Sequence, residues 1–347
     1  MPLGKKAFRG IQISNPEDTP GTAEAAVEIL YGTVTQTYTD KVFHMPEQDR
    51  STLAKNVETP FQVSDEIELE MEGEIYDRLA VYMFNNAVRG NVTPTQPDAI
   101  NEPLHYLWTL EPSLTGTCNT PDETDGIDTF TLEFGDNVQF YETEYLFTTQ
   151  IEITGEPNEP CTFTWTMNGR QVTESTKTAA LTELAAAYFP FNLAKFYIDT
   201  SYANMGTTQV TGMLRAFTWT LETMFTARFA ADGNFHFTGL NEDKKTVQLE
   251  LTYYRDDTNS EAEKDKFEAQ TTSFLRIELN GETEMDVGES NPPYIRFDTA
   301  AKYTEWPTTE DEDGMAVVTV NAEGFLDSTS SKMFSVLIGT TMDAYPV

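Results

Sequence analysis

From Glu66 to Glu72 the chain alternates without a break. Ile67, Leu69 and Met71 share one side of an extended chain, and Glu66, Glu68, Glu70 and Glu72 share the other. Period-two alternation predicts a β-strand with one apolar and one acidic face. Four carboxylates in a line repel one another, and no residue in the line compensates them. After this strand the period changes. Ile75, Leu79, Tyr82, Met83 and Ala87 recur at helical spacing within residues 74–89, and Gly90 reads as the stop.

Elsewhere the pattern is mostly that of strands. Strands are predicted within 27–43, then at 104–110, 130–134, 139–153 and 162–167, with Asn168-Gly169 as a hairpin turn. A second series follows at 196–198, 213–225, 234–238, 246–254, 274–279, 294–297 and 315–325, with a closing apolar stretch at 332–340. The alanine-rich stretch 178–189 predicts a helix ended by Pro190, and a joint between two halves. Long polar loops are expected at 44–60 and 255–268. The organisation is an N-terminal arm (1–26), a first β domain (27–177), a helical linker (178–192) and a second β domain (193–347).

The halves echo each other. FQVSDEIELEM from Phe61 matches TQVTGMLRAFTWTLETM from Thr208, DTFTLEFGD from Asp128 matches TTSFLRIELNG from Thr271, and TWTMNGR from Thr164 matches VVTVNAEG from Val317. Offsets of roughly 150 residues suit a duplicated β domain. In the second half Phe217, Trp219 and Leu221 keep the apolar side, while Thr218, Thr220 and Glu222 keep the polar one.

Composition sharpens this picture. The 57 acids against 22 bases give a formal charge of −35. Such a chain is repelled by phosphate backbones and anionic membranes. No run reaches the roughly 18 apolar residues of a membrane span, and MPLGKKAFRGIQIS lacks the apolar core of a secretory signal. Two cysteines, Cys118 and Cys161, make no disulfide framework. The three histidines, His44, His105 and His236, lie far apart, and the latter two fall on predicted strands as hydrogen-bonded residues. No nucleophile elbow, phosphate loop or dinucleotide fingerprint occurs, and no carboxylate pair is singled out for acid–base work. No catalytic, cofactor or metal site is expected. The acidic loops 122–128 and 310–314 depart from EF-hand spacing and read as solvated. The aromatic runs LHYLWTL, TFTWTM and AFTWTL read as the inner face of a sandwich before a sugar-stacking platform.

The order of elements resembles the major tail tube proteins of long-tailed bacteriophages. The likeness rests on EIELEMEGEIYDRLAVYMFNNAVRG, a strand running into an amphipathic helix, and on FTLEFGDNVQFYETEYLFTTQIEITGEPNEPCTFTWTMNGR, and covers roughly residues 20–340. It implies a mainly β fold, a tail-tube-type β-sandwich or barrel with a flanking α-helix, here duplicated. It implies homo-oligomeric rings with a continuous inner β-barrel, stacked into a tube with an electronegative lumen. Double-stranded DNA would pass without specific binding, and tape measure and tail-end proteins would be partners. The protein would be made in the bacterial host cytoplasm and reside in the virion tail. The family brings no catalytic residues.

Physical reasoning agrees with that expectation. Closing strands from several subunits into a barrel satisfies exposed sheet edges. An acidic wall repels DNA over about a Debye length, roughly 8–10 Å. Glu66, Glu68, Glu70, Glu72, Thr218, Thr220 and Glu222 are the lumen-lining candidates. His44, Glu47, Asp49, Arg50, Lys55, Arg255, Asp256, Asp257, Lys264 and Lys266 are the ring-stacking loop candidates. With a duplicated chain, three subunits close a ring with approximate sixfold symmetry, in preference to six. The alternatives are another tail or baseplate ring component, or a carbohydrate-binding β-sandwich adhesin.

Overall fold

The computed structural model describes residues 9–36, 41–45, 59–114, 117–312 and 314–346. The first series comprises β1 (Gly10–Pro16), β2 (Ala26–Ile29), β3 (Thr33–Gln36), β4 (Lys41–His44), β5 (Phe61–Asp65) and β6 (Ile67–Glu74), followed by helix α1 (Asp77–Ala87). After α1 come β7 (Tyr106–Leu110), β8 (Phe130–Gly135), β9 (Phe140–Gly155), β10 (Thr162–Gly169) and β11 (Thr173–Ser175). The second series opens with β12 (Lys195–Asp199), β13 (Gln209–Val210), β14 (Leu214–Glu222), β15 (Phe225–Arg228), β16 (Gly239–Glu242) and β17 (Thr246–Tyr254). Helix α2 (Asn259–Ala269) follows, then β18 (Ser273–Asn280), β19 (Tyr294–Glu305), β20 (Glu310–Glu312), β21 (Met315–Gly324) and β22 (Phe334–Thr340).

The chain is mainly β, and its strands pair antiparallel in one order that occurs twice. In the first series β2, β1, β8, the start of β9 and β11 form one layer. The end of β9 then joins β10, β6 and β3 in a second layer. In the second series β13, β12, β18, the start of β19 and β22 correspond to the first layer. The end of β19, β21, β17 and β14 correspond to the second. Each series also inserts a hairpin at the same point, β4–β5 between β3 and β6, and β15–β16 between β14 and β17. This order puts β17 in the place of β6, one strand beyond β14, to which the sequence echo matches it. The other two echoes, β8 with β18 and β10 with β21, fall in corresponding places.

Alternation explains the core. Leu69, Met71, Trp165, Ile151, Trp219, Leu249 and Val320 come from neighbouring strands of one layer and point into one buried cluster. Helix α1 lies at the seam between the series, where its Phe84 ring packs on Trp219 at 6.0 Å and Phe297 at 5.8 Å. At its N-terminus the buried Asp77 accepts hydrogen bonds from the Thr340 hydroxyl and the Ala187 amide.

Several expectations are corrected. Residues 178–189 form no helix, only an isolated bridge at Tyr188, with Ala180 in the left-handed region. Their backbone is taken up by other elements. Ala187 exchanges bonds with Asp77, the Phe189 carbonyl accepts from the Cys161 amide, and the Leu184 carbonyl accepts from Tyr31. Tertiary partners thus override alanine's helix propensity. Asn168 and Gly169 are no turn but paired residues of β10, opposite Glu68 and Ile67. A Cβ on Gly169 would sit 2.1 Å from the Thr143 hydroxyl, so the glycine answers close packing. Gly90 serves similarly, because a Cβ there would meet the Asp128 amide at 2.2 Å, and the left-handed residue after α1 is Asn91. The expected arm contains β1, whose Ile11 and Ile13 are core residues. Residues 234–238 form no strand, and neither His105 nor His236 lies on one.

Candidate functional site: an acidic face on a joined sheet

The two second layers are not separate. The end of β9 pairs with β14, from Gly155 opposite Phe217 to Gln150 opposite Glu222. The strands β3, β6, β10, β9, β14, β17, β21 and β19 therefore form one continuous run. At about 4.8 Å per strand it spans roughly 34 Å.

Residues directly opposite in a ladder share a face. Thr33, Glu72, Thr164, Glu152, Thr220, Gln248, Glu323 and Lys302 form one unbroken row across all eight strands. A second row holds Thr35, Glu70, Thr166, Gln150, Glu222 and Thr246. A third holds Glu74, Thr162, Thr154, Thr218, Glu250, Asn321 and Glu305. These side chains are half-buried or exposed, while their strand neighbours point into the core. The rows contain threonine, glutamine, asparagine and glutamate, with Lys302 as the sole base.

Glu70, Glu72, Glu152, Glu222, Glu250 and Glu323 make no ion pair among the described residues. Several of the chain's bases are engaged elsewhere. Arg78 pairs with buried Glu28 at 2.6 Å, Lys245 with Glu242 at 3.0 Å and Arg296 with Glu278 at 2.6 Å. The face is therefore predominantly negative, with Lys302 at one end of a row.

Of the lumen-lining candidates, Glu68, Glu70 and Glu72 on β6 and Thr218, Thr220 and Glu222 on β14 come together on this face. Glu66 sits at the break between β5 and β6. Burial, and then the charge of Glu68, raise its carboxyl pKa above the ordinary value. Sequence reasoning missed Glu152, Glu250 and Glu323. Their signal is a single acid in each alternating run, QIEIT, VQLEL and VNAEG, too sparse to mark a wall strand by strand.

The stacking-loop candidates divide. Glu47, Asp49, Arg50 and Lys55 lie outside the described residues. His44 ends β4, with its ring 5.3 Å from that of Phe61. The expected loop 255–268 is largely helix α2. Asp256 accepts the amides of Thr258 and Ser260 at its start, and Asp257 accepts the Thr258 hydroxyl. Arg255 pairs with Glu261 at 2.9 Å, and Lys264 lies 3.8 Å from Glu268. Lys266 pairs with buried Glu263 at 2.6 Å. These residues build and cap α2, which corrects their reading as a free loop.

His105 lies between Glu102, at 2.7 Å, and the Tyr294 hydroxyl, at 3.2 Å, and His236 accepts from Arg170 at 2.9 Å. Among the described residues no His, Cys, Asp and Glu group has the arrangement of a metal site. Trp108, Trp165 and Trp219 are all buried, so none is available to stack on a sugar. Among the described residues no helix is long and apolar enough to cross a membrane. Neither a protein-family model nor a curated protein matches the sequence.

Proposed function

We propose that this chain is a structural subunit of a bacteriophage-type tail tube, with no catalytic role. Copies close side by side into rings, the acidic sheet face lines the lumen, and rings stack into a conduit through which double-stranded DNA leaves the virion. The observation that carries this reading is the continuous eight-strand polar face, on which Glu70, Glu72, Glu152, Glu222, Glu250 and Glu323 make no ion pair among the described residues. A surface built to hold a ligand presents complementary groups, whereas a wall that DNA must slide along gains from uniform repulsion.

The twofold recurrence of one pairing order supports a duplicated tube domain. Three copies would then supply twenty-four inner strands. At about 4.8 Å per strand and a tilt near 40°, such a barrel is on the order of 45–50 Å across at the backbone. Side chains leave an opening that admits a double helix. Tape measure and tail-end proteins are the further partners of this role. Negative-stain electron microscopy of the purified protein tests the reading. Rings or tubes of uniform width with a central channel are expected, and particles that stay monomeric at every concentration and salt would sink it.

A further inference from the structure

The chain carries its own template for how one copy meets the next. The join of β9 to β14 links the last strand of the first inner layer to the first strand of the second. At the ends of the run, Thr33, Val34 and Thr35 of β3, paired to β6, and the tail of β19 with β20, paired to β21, have no second ladder among the described residues. In the pairing order β3 corresponds to β14, and the β19–β20 edge corresponds to the end of β9.

The register transfers residue by residue. Thr149 and Thr304 are each the extra residue of a bulge, and they donate to the carbonyls of Thr166 and Asn321, which makes those two equivalent. Four residues earlier in the same strands, Thr162 lies opposite Thr154 and Val317 lies opposite Glu310, so Glu310 takes the place of Thr154. Across the next ladder Thr166 faces Glu70 and Asn321 faces Glu250. Beyond them Glu70 faces Thr35 and Glu250 faces Thr218, so Thr35 takes the place of Thr218. Within the chain Thr154 lies opposite Thr218.

We infer that the β3 edge of one copy pairs antiparallel with the β19–β20 edge of a second copy, with Thr35 opposite Glu310. This rests on the tube reading and specifies its lateral contact. The composition of the β3 edge agrees. Thr33, Val34 and Thr35 include no charge and no proline, the usual guards of an edge left to water. Pro307 on the other edge lies between β19 and β20 and removes no donor from either strand. The surroundings agree as well. Beside β14 the gap is about 350 Å³, and Phe191 from the preceding segment stacks on Phe217 there at 6.1 Å. Beside β3 the corresponding groove is about 950 Å³, and Ile11, Leu30, Val34 and Phe134 are among the residues that line it. A neighbouring copy would close it.

Cysteine cross-linking tests the register. In a Cys118→Ser background, Thr35→Cys with Glu310→Cys places two thiols directly opposite, within disulfide reach. The pair Thr33→Cys with Glu310→Cys is shifted by two residues, about 7–8 Å apart and beyond it. Thr154→Cys with Thr218→Cys reports the template join as an intrachain disulfide. After oxidation of assembled rings, the in-register pair is expected to give covalent oligomers at about tenfold the yield of the shifted pair. Rings that form but cross-link no better in register overturn the edge pairing and leave the tube reading standing. Absence of rings in the Cys118→Ser protein overturns both.

Discussion

Thr149 and Thr304 hold the same place in two different strands. Each is the residue skipped by the ladder at a bulge, and each donates its hydroxyl at 3.2 Å to a carbonyl of the neighbouring strand, Thr166 in one case and Asn321 in the other. A bulge adds local twist and re-aims a strand. Here both lie near the point where a long strand leaves one layer and enters the other.

Removing either hydroxyl should loosen that bend. Thr149→Val and Thr304→Val are each expected to cost about 1 kcal/mol, the net value of one hydrogen bond. Urea unfolding monitored by tryptophan fluorescence measures it. If one variant is destabilised and the other is unchanged, the two bulges are not structurally equivalent.

Charge reversal addresses the acidic face. Glu70→Lys, Glu72→Lys, Glu152→Lys and Glu222→Lys sit on half-buried or exposed positions, so the combined variant should fold, each change shifting stability by only about 0.5 kcal/mol. Assembled wild-type particles should not retain DNA, whereas the variant should retain it with affinity that falls steeply as salt rises. Fluorescence anisotropy with a labelled duplex reads both. Equal retention by the two proteins would place the face away from the DNA path.

Asp128 makes stability depend on pH. Burial pushes its carboxyl up to about 6, against the hydrogen bond it accepts from the Asn91 amide. From an unfolded value near 3.9 up to the folded value, the folded state keeps a proton that the unfolded chain has lost. Stability therefore falls as pH rises through that window, by on the order of 3 kcal/mol from this group. Asp77 and Glu17, also raised by burial, act in the same direction. Asp128→Asn should gain on wild type by about 2–3 kcal/mol between pH 4 and pH 7. Parallel stability profiles would contradict the assignment.

The thiols separate by exposure. Cys118 is exposed and Cys161 buried, with burial pushing the Cys161 thiol up to about 12. A thiol reagent should titrate one cysteine in the folded protein and both in denaturant. Two fast-reacting thiols in the folded state would mean that the Cys161 site opens.

Strand positions were largely legible, because alternation such as Leu69-Glu70-Met71 and Leu249-Glu250-Leu251 is local. Helix α1 was legible for the same reason. Helix α2 was not, since NSEAEKDKFEA has no apolar stripe and stands on its Asp256 cap, its ion pairs and the Gln270 turn. The non-helical course of 178–189 was hidden because its partners, Asp77, Tyr31 and Cys161, are distant in sequence. The acid row of β6 was visible alone. That it continues through Glu152, Gln248 and Glu323 depends on ladder register, which no single strand encodes.

The mass of one ring tests the central claim most directly. Native mass spectrometry or scanning transmission microscopy of isolated rings should give three times the 39.0 kDa chain, with six tube-like units around the channel. Six chains per ring, or no closed ring at all, would contradict the account.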